Sequence, residues 1–340
     1  MPIRIEDSVA TPPIELLHRF EGCLLGLACG DAVGGPAEFH RRGRFPEITG
    51  MGGGGKFQLA PGEWTDDTAM ALCLAESLLA CGGMDPLDQM QRYWRWANEG
   101  HHSTRATAFG LGKTVANSLM RFHRTGNPLA GSSAPDTAGN GCLMRLAPVA
   151  MYFWNDRQAA IEAAELSART THGADECLAS CRCLADILVT CFAGATDKEQ
   201  ILSGIATLAL PDGLGRITAQ VFRDAPREQI RATGYVVDCL EAALWCFWHS
   251  GSYAEAVLLA ANLGDDADTT AAVCGQIAGA YYGRQGIPDD WAGVLYKRDL
   301  IAGMARGLLA STPESPALGT SASAGCRDNS AERSGYGVPA

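Results

Sequence analysis

Acids and threonines crowd together twice in this chain, in GEWTDDT (62–68) and again in NLGDDADTT (262–270), each time just before a helix-forming run. One reading is N-capping, in which Thr or Asp accepts a backbone N–H and further acids favour the helix dipole. Capping accounts for one or two oxygens per helix. It does not account for Thr65, Asp66, Asp67 and Thr68 at one start and Asp265, Asp266, Asp268, Thr269 and Thr270 at another. If the two starts converge, at least four carboxylates share a small volume, and their repulsion raises their pKa values unless a cation compensates. The donors are hard oxygens with no neighbouring Cys or His pair, which suits Mg²⁺, Mn²⁺ or Ca²⁺ rather than zinc or copper. An EF-hand is excluded, because DDADTTAAVCGQ lacks the central Gly and the final Glu. From the residues alone both capping and a cation stay open, and the cation is the more economical.

The elements that must hold these residues are helical. Apolar residues recur at helical period over 15–34, 66–80, 86–97, 157–169, 174–193, 227–248 and 252–261, and alternating strand patterns are scarce. Gly22, Gly26 and Gly30 fall four apart, as do Ala271, Gly275, Gly279 and Gly283. Each glycine costs a helix roughly 1 kcal/mol relative to Ala, so two such ridges predict that backbones meet closely at the centre of an all-α bundle. Asp31 directly follows the first ridge; Asp266 and Asp268 precede the second. The expected architecture is a compact single-domain orthogonal bundle over 15–310, preceded by an extension (1–14) and followed by a disordered tail (311–340), whose text has too few large apolar residues to repay ordering.

Composition narrows the function. Charged residues are 19% against 47% hydrophobic, as in a globular chain, and the net charge of −11 with no basic run argues against nucleic acid. No apolar run approaches the ~18 residues of a membrane span. Thirteen cysteines, mostly within apolar helical patterns, read as buried thiols of a reducing cytoplasm. The C-x3-C-x-C spacing of Cys177, Cys181 and Cys183 matches no usual zinc pattern. GLGKT (110–114) lacks the first glycine of a P-loop, since position 107 is Thr107, and no strand pattern precedes it.

Taken together, GCLLGLACGDAVGGPAEF (22–39), GEWTDDTAMAL (62–72), AGNGCLMRLAPVA (138–150), TTHGADECLAS (170–180) and NLGDDADTTAAVCGQIAGAYYG (262–283) resemble the ADP-ribosylglycohydrolase family, which includes the dinitrogenase reductase-activating glycohydrolase and the ADP-ribosyl-serine hydrolases. The resemblance implies an all-α fold with a dinuclear metal cleft holding two divalent cations, Mg²⁺ or Mn²⁺, with Thr65, Asp66, Asp67, Asp266, Asp268 and Thr269 as ligands and Asp268 as the bridge. Asp265 stands where many relatives have a second glycine and is left out of that set. Gly139, Asn140 and Gly141 would bring backbone N–H groups to a pyrophosphate, helped by glycine's access to positive φ. His172 would lie near the substrate. Glu38, in a loop whose Gly34, Gly35 and Pro36 suggest a lid, or one of the metal-site aspartates Asp67 and Asp266, would act as acid or base during cleavage at ribose C1″.

The implied substrate is an ADP-ribosylated protein or a small ADP-ribosyl compound, acted on by a cytoplasmic monomer with no membrane or nucleic-acid partner. A non-catalytic ADP-ribose-binding or crystallin-like protein of the same fold is the alternative, and a phosphohydrolase cutting the pyrophosphate is a further one. Many similar bacterial chains carry Asp and Asn where this one has Gly110 and Lys113. A guanidinium is recognised best by a carboxylate, so this difference predicts weak action on arginine-linked ADP-ribose and better action on an O-linked one.

Overall fold

The computed structural model describes residues 13–313. Its helices are α1 (Ile14–Gly34), α2 (Asp66–Cys81), α3 (Pro86–Glu99), α4 (Lys113–Thr125), α5 (Ala147–Tyr152), α6 (Arg157–Arg169), α7 (Asp175–Phe192), α8 (Lys198–Ser203), α9 (Gly215–Thr218), α10 (Val236–Trp248), α11 (Tyr253–Ala261), α12 (Ala267–Tyr282), α13 (Asp289–Val294) and α14 (Arg298–Ala310). Among the described residues there is no strand, only isolated bridges such as Gly139 with Tyr235. The fold is all-α. The expected extension and tail lie almost wholly outside the described residues.

The glycine ridges meet as their spacing predicts. A Cβ built on Gly22, Gly26, Gly30 or Gly34 of α1 would stand 2.3, 2.4, 2.1 and 2.4 Å from the carbonyl oxygens of Gly279, Gly275, Ala271 and Ala267 of α12. The pairing descends as α1 ascends, so the two helices run antiparallel with backbones in contact. Alanine at these rungs would require the helices to separate. The C-terminal end of α1 and the N-terminal end of α12 are thereby locked side by side, which sets Asp31 and Glu38 beside Asp266 and Asp268.

One predicted helix is shorter than its apolar pattern. Over 227–248 the chain makes a single 3-10 turn at Arg227–Gln229 and then a loop, and α10 begins only at Val236. Pro226 and Gly234 interrupt the first half, and its backbone is drawn to other segments: Asp266 N–H donates to Ala232 O (2.9 Å) and Asn140 N–H to Gly234 O (3.0 Å). The periodicity also passed over α4, whose buried stripe is Val115, Ser118, Leu119 and Phe122. Cys177, Cys181 and Cys183 are buried free thiols on α7.

Candidate functional site

The two acid-rich helix starts converge. Glu38, Asp66, Asp67, Asp266, Asp268 and Thr269 line one cleft of about 700 Å³, together with Gly110 to Val115, Gly139 to Gly141, His172, Thr233 and Gly234, a size within the range of ligand sites. Thr65 is buried beneath it. Carboxylate oxygens of Glu38, Asp266 and Asp268 lie within 4.8 Å of one another, and so do those of Asp31, Asp67 and Asp268. Asp268 belongs to both groups.

Capping does not employ these acids. Thr65 and Asp266 occupy the N-cap positions of α2 and α12, yet neither side chain accepts a capping bond from its own helix. Asp31, fully buried on α1, caps α2 from outside. Its carboxylate accepts from Thr65 N (2.9 Å), Thr65 Oγ1 (3.0 Å), Thr68 N (3.0 Å) and Thr68 Oγ1 (2.6 Å). Asp66 and Asp67 are released toward the cleft. Asp31 was not among the residues expected there; its place one step beyond the glycine ridge is the only signal for it in the sequence.

Burial and mutual repulsion shift the whole group upward. Burial, with Asp266 and Asp66 facing it, pushes the Glu38 carboxyl up to about 8; burial and Asp31 push Asp66 up to about 7. Burial holds Asp67 and Asp268 well above the ordinary carboxylate range, reinforced by Asp31 and Glu38 respectively, and raises Asp266 and, to about 6, Asp31. Three buried oxygens, Glu38 Oε2, Asp67 Oδ2 and Asp268 Oδ1, have no hydrogen-bond partner within the protein. Unpaired buried carboxylate oxygens are costly.

The Glu38 loop is tied rather than free. Phe39 N–H donates to Asp265 O and Asp265 N–H to His40 O, both at 2.7 Å. Phe39 and Asp265 each adopt left-handed φ, 65° and 56°. Asp is among the side chains that tolerate such a backbone. A Cβ on Gly35 would press on Leu59 at 2.5 Å, so Gly35 serves close packing.

The Gly-Asn-Gly loop lines the cleft. Neither Gly139 nor Gly141 has positive φ. Their small size makes room for His172, whose Cε1 would lie 3.0 Å from a Cβ at Gly141. The amides of Gly139 and Asn140 donate to Thr137 O (2.8 Å) and Gly234 O (3.0 Å), so they are not available to a pyrophosphate. Asn140 Nδ2 donates to Asp266 Oδ2 at 2.8 Å and orients that acid. His172 is buried, and burial lowers its pKa to about 4, so the ring is neutral at pH 7. Its Nδ1 meets Thr171 Oγ1 at 2.8 Å, and that hydroxyl accepts from Arg145 Nη2 at 2.6 Å. Arginine can only donate, so the Thr171 hydroxyl hydrogen is available to Nδ1, an arrangement that would place the ring proton on Nε2. Arg145, fully buried on the stem of the loop, was overlooked in the sequence.

An all-α scaffold that gathers buried carboxylates from two helix starts into one open cleft defines a class of helical hydrolase, distinct from the α/β nucleotide-binding folds. The chain belongs to the ADP-ribosylglycohydrolase family, whose model matches residues 12–317, and it is a glycohydrolase. It is 39% identical over 303 residues to an ADP-ribosylarginine hydrolase Tri1 of Serratia proteamaculans, covering 89% of this chain and 82% of that one. It is 43% identical over 279 residues to the protein of the same name from Pseudomonas putida, covering 82% and 74%. A solved structure of an ADP-ribosylglycohydrolase-related protein complex matches with a TM-score of 0.80 and 42% identity, covering 88% of this chain and all of that one.

Proposed function

We propose that the protein is a divalent-metal-dependent hydrolase that frees arginine side chains of a modified protein from ADP-ribose by cleaving the bond between ribose C1″ and the guanidine nitrogen. The single observation carrying the metal reading is the set of three buried, unpartnered carboxylate oxygens on Glu38, Asp67 and Asp268. The donor set fits hard dications. Asp66, Asp67, Asp266 and Asp268 supply carboxylates. The Thr65 and Thr269 hydroxyls donate their hydrogens to Asp31 (3.0 Å) and Asp67 (3.3 Å), which leaves their lone pairs to face a cation. Two Mg²⁺ or Mn²⁺ ions bound there would supply Lewis acidity toward ribose hydroxyls and water.

The remaining roles fall to this chain's own groups. Glu38 Oε2, unbonded within the cleft, takes the proton of the water that attacks C1″. As the C1″–N bond breaks, its electron pair leaves with the guanidine nitrogen, which takes up the proton that Glu38 received from the water and so returns Glu38 to its ionised form. Asp67 and Asp266 offset the positive charge that develops at C1″. The neutral His172 ring presents its Nε2–H to the substrate.

The arginine linkage is favoured over the O-linked one on two grounds. Both relatives above are ADP-ribosylarginine hydrolases. In addition, the Asp66 carboxylate already fills the space of a side chain at Gly110, whose Cβ would stand 2.1 Å from Asp66 Oδ1, so the glycine does not remove the acid from this part of the cleft. Lys113, on the first turn of α4, also lines the cleft and is exposed to solvent there.

The test is chromatography of products from arginine-linked and serine-linked ADP-ribosyl peptides, with Mg²⁺ or Mn²⁺ and with chelator. Free ADP-ribose, faster from arginine and only with metal, is expected. Glu38→Gln is expected to lower kcat by roughly 10²- to 10⁴-fold with little change in affinity for ADP-ribose. AMP as product, or binding without turnover, would overturn the reading; faster release from serine would move the substrate assignment.

A further inference from the structure

A second cluster of metal-ligating side chains lies away from the cleft. Glu76 sits ten residues beyond Asp66 on α2, roughly 15 Å along the helix axis. His101 and His102 follow the C-terminal end of α3. His101 Nε2 and His102 Nε2 approach Glu76 Oε2 at 2.6 and 3.1 Å, and one ligand atom from each of the three lies within 4.8 Å of the others. His102 reaches this position through a left-handed backbone, φ 62°.

We propose that Glu76, His101 and His102 form a peripheral site for one borderline transition-metal dication, Zn²⁺ in the first instance, separate from the carboxylate cleft. Two imidazoles and a carboxylate are a zinc-type set, whereas the cleft gathers carboxylates and hydroxyls with a single imidazole, His172, in its lining. With metal–ligand distances near 2.0 to 2.1 Å, tetrahedral donors lie roughly 3.3 Å apart, so Glu76 Oε2, now 2.6 Å from His101 Nε2 and 3.1 Å from His102 Nε2, needs to open by less than about 1 Å, and all three ligand atoms already lie within 4.8 Å of one another. The His101, His102 and Glu76 side chains are 20%, 11% and 32% exposed, which leaves water access for the fourth position. Burial also lowers the His101 pKa, favouring the neutral ring a metal requires.

Two cations face the cluster and must be accommodated. Arg92 Nη1 meets Glu76 Oε2 at 2.8 Å, but Arg92 also holds Asp88 at 2.6 Å and keeps that partner if Glu76 turns to a metal. Arg95 Nη2 lies 3.5 Å from His101 Nδ1; it is half-exposed, with Glu99 as an alternative partner at 3.7 Å. When Arg95 turns to Glu99, the His101 proton can shift to Nδ1, which frees Nε2 for the metal.

The consequence reaches the cleft through the chain. Beyond His102 the segment is fixed by Thr104 Oγ1 to Trp64 O (3.1 Å) and Arg105 Nη2 to Glu63 Oε2 (3.1 Å), and it ends with Gly110 against Asp66. A dication at Glu76 would join α2 to the start of this cleft-lining segment.

Chelated full-length protein is loaded with excess Mg²⁺ to occupy the cleft and titrated with ZnCl₂ by calorimetry. One equivalent of zinc heat is expected, lost in His101→Gln/His102→Gln and in Glu76→Gln, with a rise in Tm on zinc addition in the wild type alone. X-ray absorption of the wild-type zinc protein tests the same claim without variants. Scattering from two imidazoles is expected, whereas the cleft could supply at most one, from His172. Absence of zinc heat, equal heat in the variants, or an oxygen-only or single-imidazole shell would overturn the proposal and leave the cluster as an ion-pair anchor for the loop.

Discussion

Two kinds of helix start in this molecule use the same residue types for opposite purposes. At α3, α6, α8 and α11 the N-cap side chains of Asp85, Asp156, Asp197 and Ser252 accept amide hydrogens from their own first turns. At α2 and α12 the N-cap side chains of Thr65 and Asp266 accept none, Asp31 caps α2 from another helix, and unpartnered carboxylate oxygens accumulate in the cleft. The acids at the first group of starts have oxygens satisfied locally, whereas at the second they are left facing the cleft, and at α2 a different residue has taken over the cap.

The sharpest way to break this contrast is Asp268→Asn, since Asp268 belongs to both carboxylate groups. Turnover is expected to fall roughly 10²- to 10³-fold, with calorimetric Mg²⁺ or Mn²⁺ affinity lost in parallel. Unchanged metal binding would remove Asp268 from the ligand set.

A second test uses pH. In the metal-free protein the folded-state pKa values of Glu38 (about 8), Asp66 (about 7) and Asp31 (about 6) are raised above unfolded values near about 4. Between those limits the folded state binds more protons than the unfolded state. The contribution of these groups to stability is therefore full below about pH 4 and lost as pH rises toward about 8. Dications bind the ionised forms, so the Tm gain on adding Mg²⁺ is expected to widen steadily from pH 5 to pH 8. A gain that is constant or shrinks with pH would contradict the shared-carboxylate account.

The smallest effects sharpen the comparison itself. Asp31→Ala orphans the buried amides of Thr65 and Thr68 and is expected to cost about 2 kcal/mol in urea unfolding, with weakened metal binding. Asp85→Ala, at an ordinary cap, is expected to cost about 1 kcal/mol and leave metal binding unchanged. Equal effects on metal affinity would erase the distinction between the two kinds of start.

Much of the scaffold could be read directly. Six of the seven predicted helices hold to within two residues, because apolar spacing of three to four is a local property that tertiary contacts reinforce. The α1–α12 glycine contact was legible for the same reason: glycine four apart on one face has few uses besides close backbone approach. Residues 227–235 failed because their apolar residues are buried by a loop that gives its carbonyls to Asn140 and Asp266. Period alone does not separate that from helix. At the cleft the acids were visible, but their freedom from capping was not, since it depends on Asp31 lying against the start of α2.

The helical fold, the closeness of α1 to α12 and the inventory of hard oxygen donors are legible in residue spacing within a few turns of chain. Tertiary packing set which acids remain unsatisfied, that Asn140 donates to Asp266, that Arg145 and Thr171 flank His172, and that His101 and His102 find Glu76. Burial and electrostatic coupling depend on distances through space between residues far apart in the chain, and those distances exist only once the helices have packed.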